Sequence, residues 1–111
     1  MSRSPFIAIA ALVAFLPAAQ AADPRTGEAV YQLVCYECHA TGKDGAPKFG
    51  DKVAWKPLIA EGQRALSRTA IKGIRKMPAK GGRPDLTELE VSRAVAYIAN
   101  AGGAKWAEPV K

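Results

Sequence analysis

Cys35-Tyr36-Glu37-Cys38-His39 sets two thiols three residues apart, with an imidazole directly after the second. On a helix, residues at that spacing lie close together on one turn. Two thiols so placed can add to the two vinyl groups along one edge of a porphyrin, forming two thioethers. His39 is then carried beneath the iron as an axial ligand. This C-x-x-C-H order is the attachment signature of c-type haem. Other chemistries compete less well. A thioredoxin-like C-x-x-C needs a βαβ setting, and the chain shows no strand pattern. A structural zinc site needs four ligands, whereas the chain has 2 cysteines and 1 histidine in all. A Cys35–Cys38 disulfide would leave His39 unexplained.

A haem iron has a second axial position, and scarcity narrows its occupant. With 1 histidine in the chain, bis-histidine ligation within a monomer is excluded. The remaining choices are Met77, a lysine amine such as Lys76 or Lys80, the N-terminal amine, water or no ligand. Met77 follows an amphipathic stretch and precedes Pro78, which suits a loop folding over the far haem face. A Met/His pair raises the haem potential, because the thioether stabilises ferrous iron. Six-coordinate iron has no vacancy for substrate, which favours electron transfer over oxygen or peroxide chemistry. The competing role for Met77 is that of a soft core filler.

Three helices are expected to position these groups. Asp23-Pro24 predicts the start of the first, with Asp as N-cap and Pro at the first position. Val30, Tyr31, Val34, Cys35 and Cys38 then form one stripe at helical period. Ala40 to Lys56 carries Gly42, Gly45, Pro47 and Gly50 and reads as a loop. Pro57 to Glu61 holds a short helical turn. A second helix is expected from about Gln63 to Ile74, with Leu66, Ala70, Ile71 and Ile74 on one face. Ala79 to Pro84 is again a loop. The last helix opens on a capping box, Thr87-Glu88-Leu89-Glu90, with Leu86 and Val91 as its hydrophobic staple. Val91, Ala94, Val95 and Ile98 make its buried stripe, and Gly102-Gly103 ends it. The fold class is therefore all-α. The tail containing Trp106 is left undecided between packing back and hanging free.

The N-terminus reads as an export signal. Arg3 supplies the positive region, Phe6 to Leu16 is apolar, Pro17 breaks it, and Ala19-Gln20-Ala21 is an A-x-A cleavage site. Residues 1–21 would be removed, leaving one domain from Ala22 to Lys111. The apolar stretch is shorter than the roughly 20 residues of a spanning helix, so no integral membrane segment is expected in the mature chain. Removing Arg3 from the 16 Lys and Arg leaves 15 against 10 Asp and Glu. That balance is far from a nucleic-acid-binding composition.

Taken with Met77-Pro78, the C-x-x-C-H motif makes the chain resemble class I c-type cytochromes. The central segments are similar to the bacterial cytochrome c5 group: Gly45-Ala46-Pro47-Lys48-Phe49-Gly50-Asp51-Lys52, then Trp55-x-Pro57, Ala70-Ile71-Lys72-Gly73 and Met77-Pro78-Ala79-Lys80-Gly81-Gly82. The resemblance runs from about Thr26 to Ala99. It implies a small domain whose first and last helices cross, with loops wrapped around one covalently bound haem c. It further implies that the Pro47 carbonyl accepts a hydrogen bond from the His39 ring, and that Trp55 lies near a haem propionate. Gly27, Tyr31 and Tyr97 match the small and aromatic residues of the helix crossing. Ala79 replaces a second proline frequent in this group. Arg83-Pro84-Asp85-Leu86 stands where many members carry an extra cysteine pair.

The function expected is a soluble periplasmic electron carrier, not an enzyme, working as a monomer or weak dimer. Two alternatives stand beside it: a haem subunit held on an oxidoreductase or respiratory complex, and a haem sensor or peroxidase with open iron. Lys43, Lys48, Lys52, Lys72, Arg75, Lys76, Lys80 and Arg83 are expected to flank the haem crevice. They read either as a solvated basic face or as a ring steering redox partners with acidic docking surfaces.

Overall fold

The computed structural model describes residues 2–6, 8–12 and 23–111. The expected cleavage site Ala19-Gln20-Ala21 and the mature start Ala22 lie outside the described residues. From there the chain runs α1 (Gly27–Val30), a π-helical turn (Tyr31–Cys35), α2 (Tyr36–His39), α3 (Lys52–Ala60), α4 (Gln63–Lys72) and α5 (Glu88–Ala101). Short 3-10 turns at Lys43–Gly45 and Ala79–Gly82 punctuate the loops. The described residues contain no β-strand, only an isolated bridge between Ile74 and Met77. No helix among them is long and apolar enough to cross a membrane. The all-α expectation holds.

α1 crosses α5, and their contact centres the core. Val30, Tyr31 and Val34 from the first helical stretch meet Val91, Ala94, Val95 and Ile98 from α5, all buried. Gly27 lies directly against the Arg93 backbone and the Glu108 carboxylate, which leave no room for a Cβ. Tyr31 and Tyr97 meet at 5.6 Å, and Phe49 closes an aromatic triangle at 4.7 Å from Tyr31 and 5.6 Å from Tyr97. Tilted rings at these distances add about 0.5–1.5 kcal/mol per pair beyond the area they bury. α4 contributes Leu66 and Ala70 to the same core.

The first helix starts later than Asp23-Pro24 predicted. Thr26 is its N-cap, with Oγ1 accepting from the Ala29 amide at 3.1 Å. The segment before it is claimed by α5. Arg93 Nη1 donates to the carbonyls of Pro24 and Arg25 at 3.2 Å each, and the Arg25 amide donates to Glu90 at 3.1 Å. Those tertiary bonds outbid the local cap signal. Another departure is the loop expected over Ala40 to Lys56, because α3 begins at Lys52. Asp51 caps it, its carboxylate accepting from the Val53 and Ala54 amides at 3.1 Å. Pro57 lies inside this helix, a position that ordinarily breaks one. Packing of Trp55, Leu58 and Ile59 against the core holds it helical. α4 in turn stops at Lys72, before Ile74, because Gly73 adopts φ 85°.

The capping box at α5 is present in full. Thr87 Oγ1 accepts from the Glu90 amide at 3.1 Å, and Glu90 Oε1 accepts from the Thr87 amide at 3.1 Å. Leu86 and Val91, the expected staple, are both buried. The other Glu90 oxygen accepts from the Arg25 amide and guanidinium, both at 3.1 Å. Glu90 is only 5% exposed, yet these donors hold its carboxyl below the ordinary 4.5, the Thr87 amide contributing most. A carboxyl depressed in the folded state contributes stability above its unfolded value and loses it as pH falls through the folded one. Glu90→Gln is expected to remove about 1–3 kcal/mol at neutral pH. Chemical denaturation at pH 7 and at pH 3 measures it, and the deficit should shrink at the lower pH. An equal deficit at both would show that the carboxylate charge is irrelevant.

The tail packs back. Asn100 brackets Trp106, donating to its carbonyl at 2.8 Å and accepting from its amide at 2.7 Å. Gln63 donates to the Ala107 carbonyl, the Gly27 amide donates to Glu108, and Arg93 Nε donates to the Pro109 carbonyl at 2.7 Å. Arg93 thus grips carbonyls near both ends of the folded domain.

Candidate haem site

The π-helical turn delivers the C-x-x-C-H motif to the core. Within it the Tyr36 amide donates to the Tyr31 carbonyl five residues back. The wider turn fits one more residue than an α-helical turn holds. Cys35, Cys38 and His39 are half-buried, while Tyr36 and Glu37 between them are exposed. Both cysteines are free thiols. Burial pushes the Cys35 thiol up to about 11. Redox-active cysteines sit where the thiolate is favoured, and burial of the Cys35 thiol works in the other direction.

His39 is fixed by its own loop. Its Nδ1 lies 2.8 Å from the Pro47 carbonyl. A carbonyl only accepts, so Nδ1 carries the proton and Nε2 keeps its lone pair free. That is the tautomer of a metal-ligating histidine whose second nitrogen is oriented by a backbone acceptor. The loop is pinned at the two following residues as well. Trp55 Nε1 donates to the Lys48 carbonyl at 2.9 Å, and the Phe49 amide donates to the His39 carbonyl at 2.7 Å. Trp55 is buried, with its ring centroid 5.9 Å from that of His39. Its one N–H is therefore committed to the chain.

Met77 arrives on a tight reversal. Ile74 and Met77 exchange backbone hydrogen bonds at 3.0 and 2.8 Å around Arg75 and Lys76, with Arg75 at φ 51°. The segment after Met77 turns onto the first helical stretch, where Gly81 approaches the Val34 side chain. Met77 and Cys35 thus pack against the same core, along with half-buried Leu33, Leu58, Ile59 and Ile71. Two thiols, an imidazole nitrogen, a thioether and an apolar wall are the kinds of group a haem takes.

The basic residues divide into two kinds. Lys43, Lys48, Lys52, Lys72, Arg75 and Lys76 are exposed. Lys80 is not free in the same way, because its ammonium donates to the Leu86 carbonyl at 2.8 Å and ties the Met77 loop to the start of α5. Arg83 pairs with Asp85 at 2.9 Å, and that bond holds the Asp85 carboxyl down at about 2. The struts at the Lys48 and Leu86 carbonyls had no counterpart in the sequence reading. Any residue type offers a backbone carbonyl, so composition carries no sign of them.

Residues 22–98 match the family described as cytochrome C oxidase, cbb3-type, subunit III. A cytochrome c-555 of Chlorobaculum thiosulfatiphilum is 49% identical over 80 residues, covering 68% of this chain and 93% of that protein. A cytochrome c5 of Azotobacter vinelandii is 36% identical over 73 residues, covering 64% and 88% respectively. The cytochrome in a crystal structure of an electron transfer complex of nitrite reductase with cytochrome c shares 45% identity. It covers 68% of this chain and 93% of its own at a TM-score of 0.66. A helical domain with this motif, this loop and these relatives belongs to the matched family and is a class I c-type cytochrome of the c5-like kind, an electron carrier with one covalently bound haem c.

Proposed function

We propose that the chain is an exported, periplasmic electron carrier. Cys35 and Cys38 hold the haem by thioethers, and His39 and Met77 are the axial ligands. The segment 1–21 is the signal that directs export, and 22–111 is the working domain. The observation that carries this reading is the His39 ring, whose Nδ1–H is spent on Pro47 and whose Nε2 is left to bind iron. The haem supplies one-electron chemistry between ferric and ferrous states. The protein orients His39, covers the opposite face with the Met77 loop and keeps water from the apolar wall. With both axial positions filled by the chain, no substrate reaches the iron, and the protein is a carrier rather than an enzyme.

Exposed Lys76 stands beside Met77, among Lys72 and Arg75. We read this basic face as the docking surface for acidic redox partners. Steering by such charges raises encounter rates and weakens with salt, over a Debye length of about 8 Å at physiological ionic strength. Lys76→Glu is expected to slow electron transfer to an acidic partner about tenfold at low salt, with little effect at high salt. Its potential should barely move. Stopped-flow mixing across an ionic-strength series decides it, and rates insensitive to both salt and the reversal would reduce this face to a solvated one. Lys80→Glu is a poorer probe, since it also cuts the strut to Leu86. The matched family's description as an oxidase subunit favours one second reading, a cytochrome held on a larger complex. A stable complex at physiological salt would separate that from a free carrier.

A further inference from the structure

We infer that Trp55 is a positioning residue for His39, acting through the backbone of Lys48 and Pro47 rather than through the haem. Four observations converge on it. The indole N–H donates to the Lys48 carbonyl at 2.9 Å. The adjacent carbonyl, that of Pro47, is the acceptor for His39 Nδ1 at 2.8 Å. The indole also lies beside the imidazole, centroids 5.9 Å apart. On its far side it is backed by the end of α5, where Gly102 passes so close that a Cβ there would stand 2.6 Å from Trp55 Cβ and 2.7 Å from Cγ. Trp55 is thus wedged between Gly102 and the histidine loop, and its N–H holds the peptide next to the acceptor.

A firmly placed acceptor strengthens the Nδ1–H bond and raises the basicity of the ligating nitrogen. A more basic imidazole favours ferric over ferrous iron. Removing the indole N–H lets the 47–48 peptide relax, weakens the Nδ1–H bond and raises the potential. The inference rests on His39 being an iron ligand.

The test uses the haem-loaded protein and its Trp55→Phe variant, which keeps a ring in the slot and removes the donor. Proton NMR of the ferrous state follows exchange of the His39 Nδ1–H with solvent, and a redox titration gives the potential. Exchange should quicken about tenfold, as expected for the protection given by one hydrogen bond, and the potential should rise. Amides of Ala96 and Ala99, both fully buried in α5, report global opening and should keep their rates. Unchanged ring exchange and potential would overturn the inference. So would a quickening matched by those amides, because it would show only lost stability. Gly102→Ala, which displaces the indole from behind, should give the same signature, and it carries the test if Trp55→Phe does not mature. Loss of haem from both variants would overturn the inference in favour of a purely structural indole. The ligand assignment is checked separately in the unaltered protein, where the His39 ring protons must be shifted far upfield by the macrocycle.

Discussion

Replacing Cys35 and Cys38 together by alanine is expected to abolish covalent haem and unfold the domain. In the unaltered protein, haem should stay with the polypeptide through acid, organic solvent and a denaturing gel. In the double variant it should extract freely. The effect on folding follows from how little the chain buries by itself. Its core is a single cluster in which Leu86 and Val30 are the largest fully buried side chains. Leu33, Leu58, Ile59, Ile71 and Met77 are only half-buried around it. Domains are stable by about 5–15 kcal/mol in total, and each buried methylene contributes about 0.8 kcal/mol. A macrocycle packed on that wall supplies contacts worth a comparable sum. Tethering also keeps the cofactor at high effective concentration, so that binding stabilises the fold continuously. Circular dichroism should show lost helix. A double variant that still stains for haem and melts like the parent would remove the two thiols from the site.

Met77→Ala should lower the potential by on the order of 0.1 V or more, within the roughly 0.8 V that axial ligands span. It should also abolish the weak red band of a ferric sulfur–iron bond and let cyanide or carbon monoxide reach the iron. The thioether favours ferrous iron, and an alanine methyl offers no substitute. The backbone path of the loop has supports besides the Met77 side chain, which also packs on the core. The Ile74–Met77 backbone pair, the Lys80 strut to Leu86 and the approach of Gly81 to Val34 all remain. What changes is therefore ligation. An unaltered spectrum would return Met77 to core filling and direct attention to Lys76 and Lys80.

Features that rest on local chemistry were legible in the sequence. The C-x-x-C-H motif, the Thr87–Glu90 box and the glycine stop at α5 each complete their function within a few residues. Met77 stood out through scarcity, and Pro47 through resemblance to related chains. Features set by distant partners were not legible. Thr26 displaces Asp23 as the helix start because Arg93 and Glu90, far along the chain, claim residues 24 and 25. α3 survives Pro57 because three of its side chains reach the core. The π-helical turn leaves the hydrophobic stripe intact, so the spacing that revealed the helix concealed its wider turn. Lys80 has the sequence setting of a free charge, yet its ammonium is held by the Leu86 carbonyl.

The crossing of α1 with α5 has a consequence in time. The bonds that lock the first helical stretch reach 65 residues along the chain from Arg25 to Glu90, and 81 from Gly27 to Glu108. A polypeptide emerges from its N-terminus, and contacts this remote close late. Cys35 and Cys38 therefore emerge ahead of α5, whose packing on α1 closes the core. During that interval Cys35 lacks the burial that raises its thiol in the folded, haem-free chain. The order of emergence offers the thiols first, and the helix that closes the core follows them.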